Sequence, residues 1–255
     1  MKLALAQMLV EPGQPDANLT RAEERIAVAA ARGAEVVLLP ECLDLGWTHP
    51  SAHELATAIP DGASCQRLIV AARRHRIFVC AGIVERAGER LFNAAVLIDP
   101  NGRVRLHHRK IHELDFGREL YATGDRLGVV ATPFGRIGLM ICADGFAPGQ
   151  VISRTLALMG AHIILSPCAW AVPVDHDNER EPYGRIWLEN YGAVCREHRV
   201  VIAGCSNVGM INAGPWSGRP CIGCSLVIGP EGEPLLRGAY GRAAEEVILL
   251  NVRSR

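Results

Sequence analysis

The stretch RGAEVVLLPE, Arg32 to Glu41, decides how this chain is expected to fold. Its four consecutive apolar residues, Val36 to Leu39, are preceded by a glycine and followed by a proline. A short apolar run bounded by turn residues is typical of a strand buried on both faces. The stretch MGAHIILSPC, Met159 to Cys168, repeats the pattern later in the chain.

Two more pairs of phrases recur in the same order and at nearly constant spacing. RRHRIFVCAG (73–82) is matched by REHRVVIAGC (196–205), and VLIDPNG (96–102) is matched by LVIGPEG (226–232). Chance similarity between strand and turn phrases is one explanation. Duplication is the other, and it predicts two similar halves, each a mixed sheet with helices, packed sheet to sheet with the helices outside. No linker separates the halves, so we expect residues 1–255 to form a single domain.

Helical segments are expected between the strands. The segment NLTRAEERIAVAAARG has the periodicity of a helix, with Thr20 and Glu23 spaced as a capping box and Gly33 placed as a stop. A second helix is expected from about Ser64 to His75. The turn at residues 99–102 predicts a hairpin.

Composition excludes several classes of function. The 255 residues contain 27 Lys and Arg against 27 Asp and Glu, so no net charge attracts nucleic acid or an anionic membrane. No apolar run approaches the roughly 20 residues that span a bilayer. Most of the nine cysteines lie in apolar runs, which is typical of reduced, buried thiols and predicts a cytoplasmic protein.

Two charged residues stand where they could take part in chemistry. Glu41 ends the strand-like run LLPE, where a carboxylate is placed for proton transfer, although a helix cap or a surface salt bridge would explain it too. Lys110 lies in RLHHRKIHELDF, just past the predicted hairpin. In a dry site it could stabilise an oxyanion, but a basic run is also typical of a solvated face.

Cys142 is the cysteine whose position resembles that of a nucleophile. In RIGLMICADGF it follows an apolar strand and precedes a turn with glycine and proline, after which the chain looks helical. Helix N-terminal dipoles and a nearby lysine predict a lowered pKa for its thiol. A buried structural thiol is the alternative, and by local pattern alone Cys168 competes with Cys142.

Other catalytic constellations are poorly supported. His107, His108 and His112, together with the pair Cys221 and Cys224, contain metal-binding residue types, but a single CxxC and three histidines in a basic run are weak signals for zinc. The sequence has no G-x-S-x-G elbow for a Ser–His–Asp triad and no phosphate-binding loop.

Taken together, five segments resemble the nitrilase superfamily of carbon–nitrogen hydrolases. The resemblance covers nearly the whole chain. Each segment by itself is a weak signal, but the occurrence of all five in this order makes the resemblance specific. It implies an α/β fold, a four-layer αββα sandwich, and assembly into a homodimer or higher homo-oligomer. The segments are LLPE (38–41), HRKIHEL (108–114), YATGD (121–125), TPFGRIGLMICAD (132–144) and GAHIILSPCAW (160–170).

The resemblance also implies a catalytic triad, which falls on Glu41, Lys110 and Cys142. In the implied mechanism Glu41 takes the thiol proton, Cys142 attacks the amide carbonyl or nitrile carbon, and Lys110 with the backbone N–H of Ala143 holds the oxyanion. Ammonia or an amine leaves, and water releases the acid from the thioester. No metal or organic cofactor is implied.

Further site residues are expected between and beyond these three. Family members usually carry a second glutamate between the lysine and the nucleophile, and here the segment offers Glu113 and Glu119. We assign Glu113 to catalysis, because it lies three residues from Lys110, and Glu119 to substrate binding. Trp170 is expected to bind substrate, and Arg219 is a candidate partner for a substrate carboxylate.

The substrate predicted in this way is a small non-peptide amide or carbamoyl compound. After Cys142 the chain reads ADGFAP, which departs both from the Tyr-Asp-Leu-Arg type of run in many amidase-like members and from the Trp-Glu of true nitrilases. Hydrolysis of a nitrile to acid and ammonia is the alternative within the enzyme class. A non-catalytic binding protein that keeps the sandwich is the alternative outside it, although the intact Glu, Lys and Cys favour an enzyme.

Overall fold

The structure, a computed structural model, describes residues 1–252 of the chain. Within these residues the strands form two six-stranded sheets and one two-stranded ladder. In spatial order, the first sheet contains β14 (Glu246–Asn251), β1 (Lys2–Gln7), β2 (Val36–Leu38), β3 (Phe78–Ala87), β4 (Arg90–Ile98) and β5 (Val104–Arg109). The second contains β6 (Val129–Thr132), β7 (Gly135–Leu139), β8 (Ile163–Cys168), β9 (Val201–Ser206), β12 (Leu226–Ile228) and β13 (Pro234–Arg237). The ladder joins β10 (Val208–Met210) and β11 (Pro220–Ile222).

The two large sheets have the same pattern of strand directions. In the first, β1, β2 and β3 run parallel, and β14 on one side and β4 on the other flank them antiparallel, with β5 antiparallel to β4. In the second, β7, β8 and β9 run parallel, flanked by β6 and by β12 with β13. The repeated phrases fall on the equivalent strands β2 and β8, β3 and β9, and β4 and β12. The prediction of two pseudo-repeated halves is therefore confirmed.

The helices form the outer layers. The side chains of each strand alternate between its two faces, so in β1 Leu3 and Leu5 pack between the sheets, while Ala4 and Ala6 face the helices. Helices α1 (Pro15–Ala31) and α3 (Ala63–His75) cover the first sheet, and α4 (Val151–Leu158) and α5 (Arg185–His198) cover the second. The predicted αββα sandwich is confirmed.

The first helix begins earlier than predicted. Helix α1 starts at Pro15, so Thr20 and Glu23 lie inside it and do not form a capping box. Proline is favoured at the first helical position because its fixed φ suits the helix and its missing N–H would have no partner there. The predicted end of this helix at Gly33 is confirmed, since the helix ends at Ala31 and Gly33 adopts a φ of +78°.

The other two helices of the first half differ in length. Helix α2 (Ala52–Leu55) contains a single turn, and α3 begins at Ala63, one residue before the predicted start. Over residues 1–252, no helix combines the length and the hydropathy that crossing a bilayer would require.

Candidate active site

Glu41 lies where the carboxyl ends of two equivalent strands meet. It follows β2 after Leu39 and Pro40, and its backbone N–H donates to the carbonyl of Cys168, at the end of β8, over 3.1 Å. A Cβ on Gly82 would lie 2.6 Å from the Cα of Glu41, so only glycine allows β3 to pass this closely. The carboxylate is 1% exposed and thus held at the seam between the sheets.

Lys110 reaches the same point from the end of β5. Its Nζ donates to Glu41 Oε1 and to Glu113 Oε1, each over 2.8 Å, and all three residues are at most 3% exposed. Burial by itself lowers the pKa of Lys110, but the carboxylates of Glu113 and Glu41 outweigh burial and raise this pKa well above its usual range. The side chain is therefore a fixed ammonium.

Asn93 completes this polar cluster, and the sequence analysis missed it. Its Nδ2 donates to Glu41 Oε1 over 2.6 Å and to Glu113 Oε2 over 3.0 Å from the middle of β4. An asparagine within the apolar strand RLFNAAVLI was the available signal, because a buried polar side chain needs a partner. Burial, the largest influence, and the charge of Glu113 raise the pKa of Glu41 despite the opposing effect of Lys110.

Cys142 lies at a sharp turn after β7. Its φ of +42° is left-handed, which is uncommon for a residue with a side chain, and it opens a 3-10 helix over Cys142–Phe146. The turn is held by the backbone N–H of Cys142, which donates to Ser166 Oγ over 3.0 Å. The residue is 9% exposed.

The thiol of Cys142 does not have the lowered pKa that its sequence context predicts. Burial raises this pKa well above its usual range, a hydrogen bond with Cys168 and the charge of Glu41 add to the effect, and Lys110 only partly opposes it. The expectation was wrong because desolvation of a thiolate costs more here than one ammonium returns. A thiol in this state needs a base before it can attack.

Asp144 ties the turn of Cys142 to the segment of Lys110. Its Oδ2 accepts from the backbone N–H of Ile141 over 2.9 Å and lies 2.8 Å from His108 Nε2. Its Oδ1 accepts from the N–H groups of Ile111 and His112 over 3.1 and 2.7 Å. One fully buried carboxylate thus fixes the turn of Cys142 relative to the segment of Lys110.

A pocket of about 180 Å³ opens onto these groups. Glu41, Lys110, Cys142 and Ala143 lie on its polar side, so the structure brings the three predicted triad positions together. Its other walls are mainly aromatic, and Trp170 is among them, as expected. The aromatic lining residues are Trp47, Phe146, Trp170, Tyr183, Trp187 and Trp216.

Two of the predicted or competing residues lie away from the pocket. Glu119 is exposed at the end of the 3-10 helix Asp115–Glu119 and does not line the pocket, whereas Glu113 is the acidic residue that contacts Lys110. Cys168 is fully buried at the end of β8 and does not line the pocket. The local sequence pattern does not separate it from Cys142, whereas the family resemblance and the pocket lining both do.

The other candidates are engaged elsewhere. His107 lies 2.9 Å from Glu85, and the Arg219 guanidinium lies 4.5 Å from the ring centre of Trp216, outside the pocket lining. In the part of the chain that the structure describes, no three His, Cys, Asp or Glu side chains are grouped so as to hold a metal ion.

Comparisons with known proteins point to one family. The family model described as carbon–nitrogen hydrolase matches residues 2–254. A nitrilase of Pyrococcus abyssi is 36% identical over 178 residues, which cover 68% of this chain and 66% of that protein. An omega-amidase of Xenopus tropicalis is 35% identical over 153 residues, 56% of this chain and 55% of that protein. The matches to these two relatives thus span less than two thirds of their lengths.

A solved structure shows the same fold. The amidase from Nesterenkonia sp. superposes with a TM-score of 0.83 at 23% identity, covering 100% of this chain and 90% of that chain. This likeness concerns the architecture alone, whereas the family model matches the sequence from end to end. The chain therefore belongs to the carbon–nitrogen hydrolase family, the nitrilase superfamily.

Proposed function

We propose that this protein is a thiol amidohydrolase that cleaves the C–N bond of a small non-peptide amide or carbamoyl compound through a thioester on Cys142. The observation that carries the proposal is the buried contact between Lys110 and Glu41 beside the pocket-facing Cys142. A carboxyl base, a fixed cation and a thiol at one pocket are the groups that acyl transfer requires.

Attack begins with proton transfer. Glu41 takes the proton of the Cys142 thiol as the sulfur bonds to the amide carbonyl carbon. The raised pKa of Glu41 makes it a stronger base than an exposed carboxylate, and the raised pKa of Cys142 explains why a base is needed.

The tetrahedral intermediate places negative charge on the former carbonyl oxygen. Lys110 supplies a cation, and Ala143 supplies a backbone N–H from the first turn of a 3-10 helix, where N–H groups have no acceptor within the helix. The intermediate collapses as Glu41 returns its proton to the nitrogen, so ammonia or an amine leaves and the thioester remains.

Hydrolysis of the thioester uses the same base. Glu41 takes a proton from water, the resulting hydroxide adds to the thioester carbon, and the C–S bond breaks. The proton returns to sulfur, which releases the carboxylic acid and restores the thiol. Glu113 and Asn93 hold Lys110 and Glu41 in place throughout.

Relatives support amides as the substrate class. Several matching proteins are omega-amidases, including that of Xenopus tropicalis. One form of the Nesterenkonia amidase binds butyramide, and another carries an acetamide group on its active-site cysteine. Nitrile hydrolysis is the second candidate, because the relative from Pyrococcus abyssi is named a nitrilase.

We further propose that the protein forms a homodimer. Light scattering after gel filtration would test this oligomeric state.

Mass spectrometry after incubation with butyramide and butyronitrile tests the proposal, first on the intact protein and then on its proteolytic peptides. We expect an acyl adduct on the peptide that contains Cys142, absent in Cys142→Ser and unchanged in Cys224→Ser, whose thiol lies outside the pocket. Glu41→Gln is expected to lower turnover about 100- to 10,000-fold while the protein stays folded. Near-normal turnover in Glu41→Gln would contradict its role, and ammonia from the nitrile alone would favour the second candidate.

A further inference from the structure

All the tryptophans of this chain meet at one place. The sequence contains four, and Trp47, Trp170, Trp187 and Trp216 all line the pocket beside Cys142. These residues come from four separate segments, so the concentration of indole rings is a property of the tertiary structure. A wall of this kind contacts the part of the substrate that is not being cleaved.

One wall is a rigid stack. The rings of Trp170 and Trp187 lie 4.8 Å apart with an interplanar angle of 23°, and both side chains are at most 3% exposed. Trp187 Nε1 donates to Tyr183 Oη over 3.0 Å, which fixes its orientation. This wall presents preformed apolar surface.

A second group of lining residues is also aromatic. Trp47 packs edge to face with Trp216, their ring centres 5.1 Å apart, and Phe116 packs against both rings. Nε1 of Trp47 and Nε1 of Trp170 are buried and have no hydrogen-bond partner among residues 1–252, and neither nitrogen carries a charge that could balance a substrate carboxylate.

The charges around the pocket disfavour a negatively charged group on the substrate. Over residues 1–252, Lys110 is the only lysine or arginine among the lining residues, and it already contacts Glu41 and Glu113. Arg219 stacks on Trp216 without lining the pocket. A substrate carboxylate would therefore lose its hydration and gain no ionic partner, which is costly in an apolar site.

The pocket volume limits the size of the acyl group. An apolar protein cavity of about 150 Å³ accommodates benzene, and this pocket measures about 180 Å³. It therefore accepts a branched alkyl chain or a single ring.

We propose that the acyl group of the substrate is apolar, no larger than about one phenyl ring, and that amides with a second, ionised carboxyl group are excluded. The inference rests on the proposed amide hydrolysis, and it distinguishes this chain from an enzyme for the amide of a dicarboxylic acid. The single observation behind it is an aromatic pocket whose only lysine or arginine, among residues 1–252, already contacts two carboxyl groups.

A matched substrate pair tests the proposal by steady-state kinetics. 4-Methylpentanamide and succinamate have the same shape, but an isopropyl group in one replaces a carboxylate in the other. We expect kcat/KM for 4-methylpentanamide to exceed that for succinamate at least about 100-fold, because among residues 1–252 the pocket offers a buried carboxylate no free cation. A ratio below tenfold would overturn the proposal.

A binding measurement separates this inference from the proposed chemistry. In Cys142→Ala every tryptophan still lines the pocket, so intrinsic fluorescence reports occupancy directly. We expect saturable change with 4-methylpentanamide and none with succinamate at equal concentration. Selective binding without any turnover by the parent protein would refute the hydrolase function and leave the pocket inference standing. Equal binding of both amides, or of neither, would overturn it.

Introducing a positive charge at the mouth of the pocket tests whether a missing cation is what excludes succinamate. Ile186 lines the pocket and is 43% exposed at the start of α5, so arginine is tolerated there. Ile186→Arg is expected to raise kcat/KM for succinamate at least tenfold, whereas the uncharged control Ile186→Gln is not. The same rise in both variants would show that charge is not what excludes succinamate.

Discussion

Replacing Asp144 with asparagine is expected to destabilise the protein and slow catalysis together. The parent carboxylate accepts three backbone N–H groups and contacts His108. An asparagine oxygen can keep the two bonds made by Oδ1, but its NH₂ group then faces the N–H of Ile141, which loses its acceptor.

The magnitude follows from those contacts. A buried N–H without a partner costs about 1–3 kcal/mol, and the two remaining bonds weaken because the acceptor is no longer charged. We expect a loss of about 3 kcal/mol from a total stability of about 5–15 kcal/mol, so Asp144→Asn stays folded at 25 °C. Loosening the turn of Cys142 is expected to lower kcat about 100-fold, since catalysis is sensitive to ångström-scale misplacement.

Urea unfolding followed by circular dichroism measures the first effect. With an m value of about 3 kcal/mol per molar, the midpoint falls by about 1 M. Asp115→Asn is the matched control, because the Asp115 side chain is fully exposed and its replacement should change stability by less than about 0.5 kcal/mol. A midpoint for Asp144→Asn within 0.2 M (about 0.6 kcal/mol at that slope) of the parent, with kcat unchanged, would refute the reasoning.

The pH dependence of the stability difference between the parent protein and Asp144→Asn provides a second check. Burial raises the pKa of Asp144, but the hydrogen bond with His108 and the backbone bonds outweigh it and leave the pKa below its usual value. A depressed carboxyl pKa stabilises the fold above the unfolded-state pKa, and this contribution is lost as the pH falls through the folded-state pKa. The stability gap between parent and variant should therefore be widest near neutral pH and narrow below about pH 4.

Three further variants test other contacts. Gly82→Ala brings a Cβ within 2.6 Å of the Glu41 Cα, so we expect a loss of about 1–3 kcal/mol in urea unfolding and a fall in kcat; parental values would contradict the close approach. Asn93→Leu removes a donor to Glu41 and should lower kcat about tenfold or more, whereas unchanged kinetics would show that the hydrogen bond is dispensable. Burial raises the pKa of Glu85, but the hydrogen bonds and charges of Arg109 and His107 outweigh it and lower this pKa to about 2. Glu85→Gln should therefore cost about 2–3 kcal/mol at pH 7 and progressively less as the pH falls from about 4 towards 2, and a pH-independent cost would exclude the ion pair as its source.

Much of the architecture could be predicted because it depends on short-range patterns. The runs VVLL in EVVLLP and IIL in HIILSP are apolar at every position since the parallel strands they form are covered on both faces, and the repetition of these segments indicated two equivalent halves. The start of α1 was misplaced by five residues because two competing signals, a proline and a capping box, lie within one and a half turns of each other.

The site was predictable only in part. Glu41, Lys110 and Cys142 follow strands in recognisable motifs, so their positions could be named from the sequence. Asn93 was missed because it is a single polar residue within a strand. Glu119 was expected to bind substrate, but it is exposed and does not line the pocket.

By itself the sequence determined the positions of the repeated strands, the duplication and the three residues that follow strands in family motifs. The strands and their repetition are visible in local patterns, whereas the choice of Cys142 over Cys168 came from the family resemblance. The tertiary structure alone decided the direction in which the pKa of Cys142 shifts and the meeting of four tryptophans around one small volume. Desolvation and pocket shape are set by everything packed around a group, and those neighbours come from distant segments of the chain.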